Sequence, residues 1–230
     1  MDNRVQGLHH LAISTADIKS QIDFFTDKLG MELVALYWMH GAKETWHGFL
    51  RMNDESSVAF VQSPAVGKVT PKFGETHAGN PTAPSAAGTT QHIALKVTDV
   101  DDLHRMQNRL RSKGVPVLGP VDHGFCKSIY FAGPEGLALE LSCSDAAINP
   151  ENWIDPDVVA RAGISPEDLE RFRNPPAFEA PDQPVPQADT KGPGPHMTNY
   201  PPGIYEKLMA VPDKDIWDAS ENQPPVGGKQ

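Results

Sequence analysis

The sequence predicts an α+β fold built from two copies of one strand–helix–three-strand unit and a long Pro-rich C-terminal extension. Three observations carry this prediction. A short motif recurs at a constant offset, so that His10–Ile18 matches His92–Val100 (92 − 10 = 82). Each copy is followed by one helix pattern and three strand patterns. Most of the 22 prolines lie beyond Asp145.

The repeated segments, residues 7–15 ("GLHHLAIST") and 91–100 ("QHIALKVTDV"), alternate apolar and polar residues as strands do. Neighbouring side chains of a strand point to opposite faces. One face of each segment is therefore apolar and suited to packing against a helix, and His9 shares it. The other face is small and polar, and it carries His10 and His92. We expect these two histidines to point into a cleft and His9 to be structural.

The remaining elements of each unit follow from periodicity. Apolar residues at helical spacing predict helices that begin at Asp17 and at Thr98 or Asp99 and end at Gly30 and Gly114. Period-two patterns separated by turn residues predict three strands in each unit. They are expected at roughly 32–38, 46–53 and 57–63, and at roughly 115–119, 126–132 and 137–143.

These elements divide the chain into four parts. Residues 6–64 form the first module and 91–145 the second. Between them, 65–90 is an irregular connector, long enough to indicate a functional loop. Residues 146–230 are an extension with one helix predicted after Ser165 and with the rest extended or disordered by composition. Its apolar residues are expected to dock over the core or on a partner subunit: Tyr200, Ile204, Tyr205, Leu208, Met209, Ile216 and Trp217.

Composition excludes several classes of partner. A net charge of −10 and a pI near 5.3 argue against nucleic acid and anionic membranes. No apolar run is long enough to span a bilayer, and the first residues contain no signal-peptide core. Cys126 and Cys143 are too few for a disulfide framework. We therefore expect a cytoplasmic protein without a nucleic-acid or membrane partner.

The last strand of the second module, "LALELS", adds a carboxylate to the two histidines. Glu140 lies on its small, polar face, as His10 and His92 do on theirs. Two imidazoles and one carboxylate around open positions form the facial triad of non-haem iron enzymes. One such residue alone is usually structural, but recurrence of the histidine in both copies favours a metal site. Fe(II) is the first choice; Mn(II), Ni(II), Co(II) and Zn(II) also suit these ligands.

The segments "HHLAI", "QHIAL" and "SIYFAGPEGLALEL" together resemble the vicinal oxygen chelate superfamily over residues 6–145. That superfamily includes glyoxalase I, methylmalonyl-CoA epimerase, fosfomycin- and bleomycin-resistance proteins and type I extradiol dioxygenases. The resemblance implies a cupped, barrel-like mixed sheet with a metal bound by His10, His92 and Glu140.

Within the superfamily the ligand pattern is closest to extradiol ring-cleaving dioxygenases. Glyoxalase I and the epimerase take a fourth ligand from the first module, where this chain has Ala59. Tyr130 lies ten residues before Glu140 (140 − 130 = 10), where the resemblance implies a tyrosine bonded to a substrate oxygen. His123 lies near the position where the resemblance implies a second-sphere histidine.

One position departs from the extradiol pattern. Those enzymes usually carry a further histidine just before the last strand of the first module, where this chain has Ser56 and Ser57. A serine cannot accept a proton near neutral pH as imidazole can. His40 and His47, in neighbouring segments, are the candidates to replace it.

The leading hypothesis is thus an Fe(II) dioxygenase that opens the ring of a catechol-like substrate with O2. A small aromatic or vicinal-oxygen molecule is the expected partner, and we expect a homo-oligomer. A glyoxalase- or epimerase-like isomerase or lyase with another metal is the alternative; Ala59 argues against its four-ligand form. A non-catalytic binding protein is the third hypothesis, and the His10, His92 and Glu140 set argues against it.

Overall fold

The computed structural model describes residues 5–227, which divide into two compact units. The larger unit spans Gln6–Leu169 and contains both copies of the repeat. The smaller unit comprises Val5 together with residues 170–227. None of the described helices combines the length and the apolar character that crossing a membrane requires.

The first repeat forms a four-stranded sheet of order β1-β4-β3-β2 with one helix. Strand β1 is parallel to β4, and the other pairs are antiparallel. The elements are β1 (His10–Thr15), α1 (Ile18–Asp27), β2 (Glu32–Trp38), β3 (Trp46–Asn53) and β4 (Ser56–Gln62).

The second repeat forms an equivalent sheet of order β5-β8-β7-β6, again with one parallel pair, β5 with β8. Its elements are β5 (Ile93–Lys96), α2 (Val100–Ser112), β6 (Leu118–Asp122), β7 (Lys127–Ala132) and β8 (Ala138–Cys143). The predicted fold class is confirmed. Across residues 5–227 no strand pairing joins the two sheets, so they do not form a closed barrel.

Capping explains where the two helices begin and where β6 starts. The Asp17 carboxylate accepts from the Ser20 amide (3.1 Å), and the Asp99 carboxylate accepts from the Asp102 amide (2.8 Å). Strand β6 begins three residues later than the pattern predicts. The Val115 amide donates to Leu110 O (3.0 Å) and closes the end of α2, so this residue belongs to the helix end.

Each helix packs its apolar stripe on one face of its own sheet. In the first module Phe25 contacts Phe60, with ring centroids 5.1 Å apart. In the second, Leu103 and Leu110 are fully buried. The core residues on this side are Ile18, Phe25, Leu50, Val58, Phe60, Leu95, Leu103, Leu110, Val115, Ile129, Phe131, Leu139, Leu141 and Cys143. The opposite face of each sheet carries the predicted site residues.

Two sets of polar contacts join the modules, one at each end of α1, and the set at the end of this helix includes the Lys113–Asp27 ion pair. Arg109 of α2 donates to the carbonyls of Lys28 (2.9 Å) and Asp27 (2.8 Å) at the end of α1. The turn between β7 and β8 supplies the second set, through the Glu135 carboxylate. It accepts from the Thr15 hydroxyl (2.6 Å), the Ala16 amide (2.8 Å) and Gln21 Nε2 (2.8 Å). The start of α1 is thereby attached to the second module.

The extension contains more helix than its composition predicts. Helix α5 (Pro166–Arg173) lies where one is expected. Four further helices are present: α3 (Pro150–Trp153), α4 (Pro156–Arg161), α6 (Ile204–Met209) and α7 (Asp213–Ala219). The expectation of extended or disordered chain over these four segments is wrong. Pro150 and Pro156 occupy first helical positions, where a proline starts a helix. Docking of the tail on the core or a partner stays a prediction.

Candidate active site

The second sheet brings Glu140 and His92 together. Strand register sets Glu140 between Ala94 on β5 and Tyr130 on β7. His92, two residues before Ala94, therefore shares the face of Glu140. His92 Nε2 lies 3.0 Å from Glu140 Oε2, and the glutamate side chain is only 6% exposed.

Gln91 determines which nitrogen of His92 carries the proton. Its Nε2 donates to the carbonyls of Asn80 and Ala83 in the connector, both at 3.3 Å. Its Oε1 is left to accept from His92 Nδ1. A ligating histidine commonly donates its second ring N–H to a carbonyl oxygen in this way. The connector thus orients a site residue through Gln91.

This protonation pattern makes the His92–Glu140 contact fit a cation. With the proton of a neutral His92 on Nδ1, Nε2 presents a lone pair to a carboxylate oxygen. Two acceptors at this distance repel unless a proton or a cation lies between them. Imidazole nitrogen and carboxylate oxygen are ligands that Fe(II), Mn(II) and Zn(II) share. The donor pair therefore fits a divalent metal.

Tyr130 and His123 border this pair. Tyr130 OH and His123 Nε2 are 2.8 Å apart, and the ring of Tyr130 lies 6.4 Å from that of His92. Burial raises the pKa of Tyr130, and the nearby Glu140 carboxylate raises it further. The phenol therefore keeps its proton at neutral pH and can donate it in a hydrogen bond.

The loop that carries His123 is supported by a residue that the sequence did not indicate. Gly124 has a positive φ of 84°, and a Cβ there would lie 2.9 Å from the ring of Trp153. The Trp153 ring also contacts Phe125 edge-on, with centroids 4.9 Å apart. Trp153 is half exposed in a short helix of the extension, and only its aromatic character could have marked it.

His10 does not join this group within one chain. Its Nδ1 lies 2.8 Å from His9 Nδ1, and its ring contacts Phe49 (5.4 Å) and His47 (6.4 Å) on the first sheet. In the part of the chain that the structure describes, no three His, Cys, Asp or Glu side chains lie close enough to hold one metal ion. The structure brings together two of the three expected ligands, because β1 and β5 are edge strands of separate sheets.

Strand register supports the assignment of Ala59 to the place of the missing ligand. Ala12 pairs with Ala59 as Ala94 pairs with Glu140, so Ala59 is the first-module counterpart of the glutamate. Phe49 pairs with Ala59 as Tyr130 pairs with Glu140. The first sheet therefore repeats the site geometry without its carboxylate.

His47 is the buried polar residue of that first-module face. It is 8% exposed, and its Nε2 is covered without a hydrogen-bond partner. Burial lowers the pKa of His47, and the neighbouring His10 lowers it further. The sequence alone marks His47 only as one of two candidates for a missing base.

A comparison with protein families shows to which family this chain belongs. Residues 7–141 match the model of the Glyoxalase/Bleomycin resistance protein/Dioxygenase superfamily. The chain belongs to this superfamily. The resemblance to the vicinal oxygen chelate superfamily is thereby confirmed, and the superfamily includes enzymes such as glyoxalase I as well as non-catalytic members.

The chain is similar, at low sequence identity, to solved structures that include the following two. Glyoxalase I of Leishmania major is 18% identical, over 70% of this chain and all of its own, with a TM-score of 0.41. The antibiotic-binding protein TnmS3 from Streptomyces sp. CB03234 is 20% identical, over 61% of this chain and 98% of its own, with a TM-score of 0.44. No significant match was found among curated proteins.

Proposed function

We propose that this protein is a metal-dependent dioxygenase of the extradiol type, which opens the ring of a catechol-like substrate at Fe(II). The observation that carries the proposal is the buried Glu140 carboxylate, 3.0 Å from His92 Nε2, with Tyr130 on the adjacent strand. Fe(II) held by these residues would supply the activation of O2 toward a catechol-like substrate.

The protein side chains would perform the remaining tasks. Tyr130 keeps its proton because burial and Glu140 raise its pKa, so its hydroxyl can donate to a substrate oxygen. His123 Nε2, 2.8 Å from that hydroxyl, can exchange a proton with it from the solvent side. Gln91 holds His92 in the tautomer whose Nε2 is free to bind.

The third ligand, His10, is proposed to come from a second copy of the chain. In the described residues β1 and β5 each pair on one side only, and the two carry the equivalent residues His10 and His92 close to their starts. Association of two copies through these edges would bring His10 of one to the His92–Glu140 pair of the other. The expected homo-oligomer would then be needed for metal binding, because one chain alone lacks the third ligand.

Metal analysis tests the proposal directly. Anaerobically purified wild type is expected to hold about one iron per chain and to consume O2 when catechol is added. His92→Ala and Glu140→Ala are expected to lose both, whereas His104→Ala, at an exposed position of α2, is the matched control and keeps both. Nickel, cobalt, manganese or zinc in place of iron would instead favour isomerase or lyase chemistry. Failure to bind any of these metals would leave a ligand-binding protein.

Mixing variants tests the shared site. His10→Ala and Glu140→Ala each lack one ligand, so neither alone should bind metal. After joint refolding in equal amounts, mixed dimers contain one complete site, and about a quarter of all sites should bind metal. If the three ligands belonged to one chain, mixing would restore none.

A further inference from the structure

The irregular connector between the modules, residues 65–90, carries a tight turn with a ring at each end. The Gly74 amide donates to the carbonyl of His77 (3.0 Å), which closes the turn. The rings of Phe73 and His77 lie 4.8 Å apart, edge to face. These two rings, Phe73 and His77, are here called the connector anchor.

The connector anchor packs on the turn between β7 and β8. A Cβ at Gly136 would lie 2.6 Å from His77 Nε2 and 2.8 Å from the Phe73 ring, so no larger residue fits there unless the rings move. Among the described residues His77 Nε2 is buried without a hydrogen-bond partner, so packing holds this ring in place. Gly136 directly follows Glu135, whose carboxylate attaches the start of α1. The anchor therefore rests on the turn that joins the two modules.

The connector anchor also fixes the carbonyls that hold Gln91. Gly79 packs on the Phe73 ring, since a Cβ at Gly79 would lie 2.6 Å from it. The carbonyl of Asn80 comes next in the chain, and with the carbonyl of Ala83 it accepts from Gln91 Nε2, both at 3.3 Å. Gln91 in turn sets the tautomer of the adjacent site histidine. A continuous set of contacts thus leads from the turn to the candidate ligand.

We propose that the connector anchor positions His92. Contact of the two rings with Gly136 holds the connector in place, and Gln91 then keeps the proton of His92 on Nδ1. The proposal rests on the proposed function in one respect, which is that His92 is a metal ligand. The anchor acts through Gln91, and it makes the orientation of the ligand depend on the turn that joins the modules.

The double variant Phe73→Ala/His77→Ala tests this role with two measurements. In metal-free wild type, the 15N spectrum of the imidazoles should show His92 protonated on Nδ1, and in the variant it should show both tautomers in exchange. Competition with a chelator should give about tenfold weaker Fe(II) binding by the variant. Val69→Ala is the matched control, because this connector side chain is as exposed as Phe73 (65% each), and it should change neither measurement.

Gln91→Ala distinguishes positioning from a general loosening of the fold. In that background the double variant should lower the Fe(II) affinity no further, because the anchor acts through Gln91. Multiplied losses of affinity, or an unchanged His92 spectrum in the double variant, would overturn the proposal. If wild type binds no Fe(II), the proposed function fails, and the spectra of the metal-free proteins still decide the role of the anchor.

Two glycine variants give a second test if the double variant does not fold. Gly136 and Gly114 have nearly the same φ, 78° and 77°, so alanine strains both backbones alike. No described atom lies within 4 Å of a Cβ at Gly114, whereas a Cβ at Gly136 would displace the connector anchor. Gly136→Ala should therefore alter the His92 spectrum and Gly114→Ala should not. Identical His92 spectra in the two variants would refute the inference.

Discussion

His92 Nε2 and Glu140 Oε2 lie 3.0 Å apart on neighbouring strands of the second sheet. The carboxylate is almost completely buried, and the His92 imidazole and the Tyr130 phenol lie beside it. A buried carboxylate without a strong cationic partner is costly. The close contact between the His92 nitrogen and the buried Glu140 carboxylate is therefore the reason to expect a cation here.

Gln91→Ala is predicted to weaken metal binding about 10- to 100-fold. The variant removes the oxygen that fixes the proton on His92 Nδ1, so His92 Nε2 is available for binding only part of the time. Competition with a chelator measures the metal affinity. Gln223→Ala, at an exposed position in the extension, is the control. Equal metal affinities in the two variants would contradict the role assigned to Gln91.

Tyr130→Phe is predicted to retain iron but to lower the rate of catechol-dependent O2 uptake by about 100-fold, since the proton donor beside the substrate is lost. Because His123 acts through the Tyr130 hydroxyl, adding His123→Ala to Tyr130→Phe should lower the rate little further. The test is to measure the rate of O2 uptake in the two single variants and in the double variant. Multiplied losses in the double variant would show that His123 acts independently.

Glu135→Ala is predicted to lower the free energy of unfolding by about 2 kcal/mol, because three donors of the first module lose a charged acceptor. Chemical denaturation measures the change. Glu55→Ala, in the corresponding turn between β3 and β4, is exposed and serves as the matched control, with an expected change within about 0.5 kcal/mol. Similar changes in the free energy of unfolding for both variants would contradict the role of Glu135 in joining the modules.

The Asp27 carboxylate is predicted to make the free energy of unfolding fall at acidic pH. Hydrogen bonds from Lys113 and Lys28 lower its pKa from 3.8 to about 2. The folded-state pKa is depressed, so the stabilisation is complete above pH 4 and is lost as pH falls towards 2. Asp27→Asn should therefore melt below wild type at pH 5 and converge with it near pH 2, in melting curves recorded across that range. The exposed Asp101→Asn is the control, and a constant difference between Asp27→Asn and wild type would refute this account.

Several features follow from local sequence alone. The 82-residue repeat and the period-two alternation predict the order of elements in each module, and they predict that His92 and Glu140 share a face. The aspartates Asp17 and Asp99 mark where the helices begin. These predictions succeed because strand alternation and helix capping depend on residues close together in the chain.

Long-range packing decided the rest. Alternation places His10 on the correct face of β1 but does not determine which sheet lies opposite, and in one chain His10 contacts Phe49 and His47. The connector carbonyls that orient Gln91 are 8 and 11 residues away in an irregular segment, where no periodicity exists to predict them. The ring of His47 contacts His10 on β1 and Tyr37 on β2, two strands that are distant from its own in the chain or reached across a turn.

The sequence by itself therefore determined the repeated modules, the superfamily and the side of each sheet on which the candidate ligands lie. Only the tertiary structure decided that His92 and Glu140 meet while His10 lies apart, and that the His47 nitrogen is buried without a partner. The physical reason is that the face of a side chain is set by the backbone geometry of its own strand. The neighbours of that face are set by the packing of whole sheets, which no short pattern encodes.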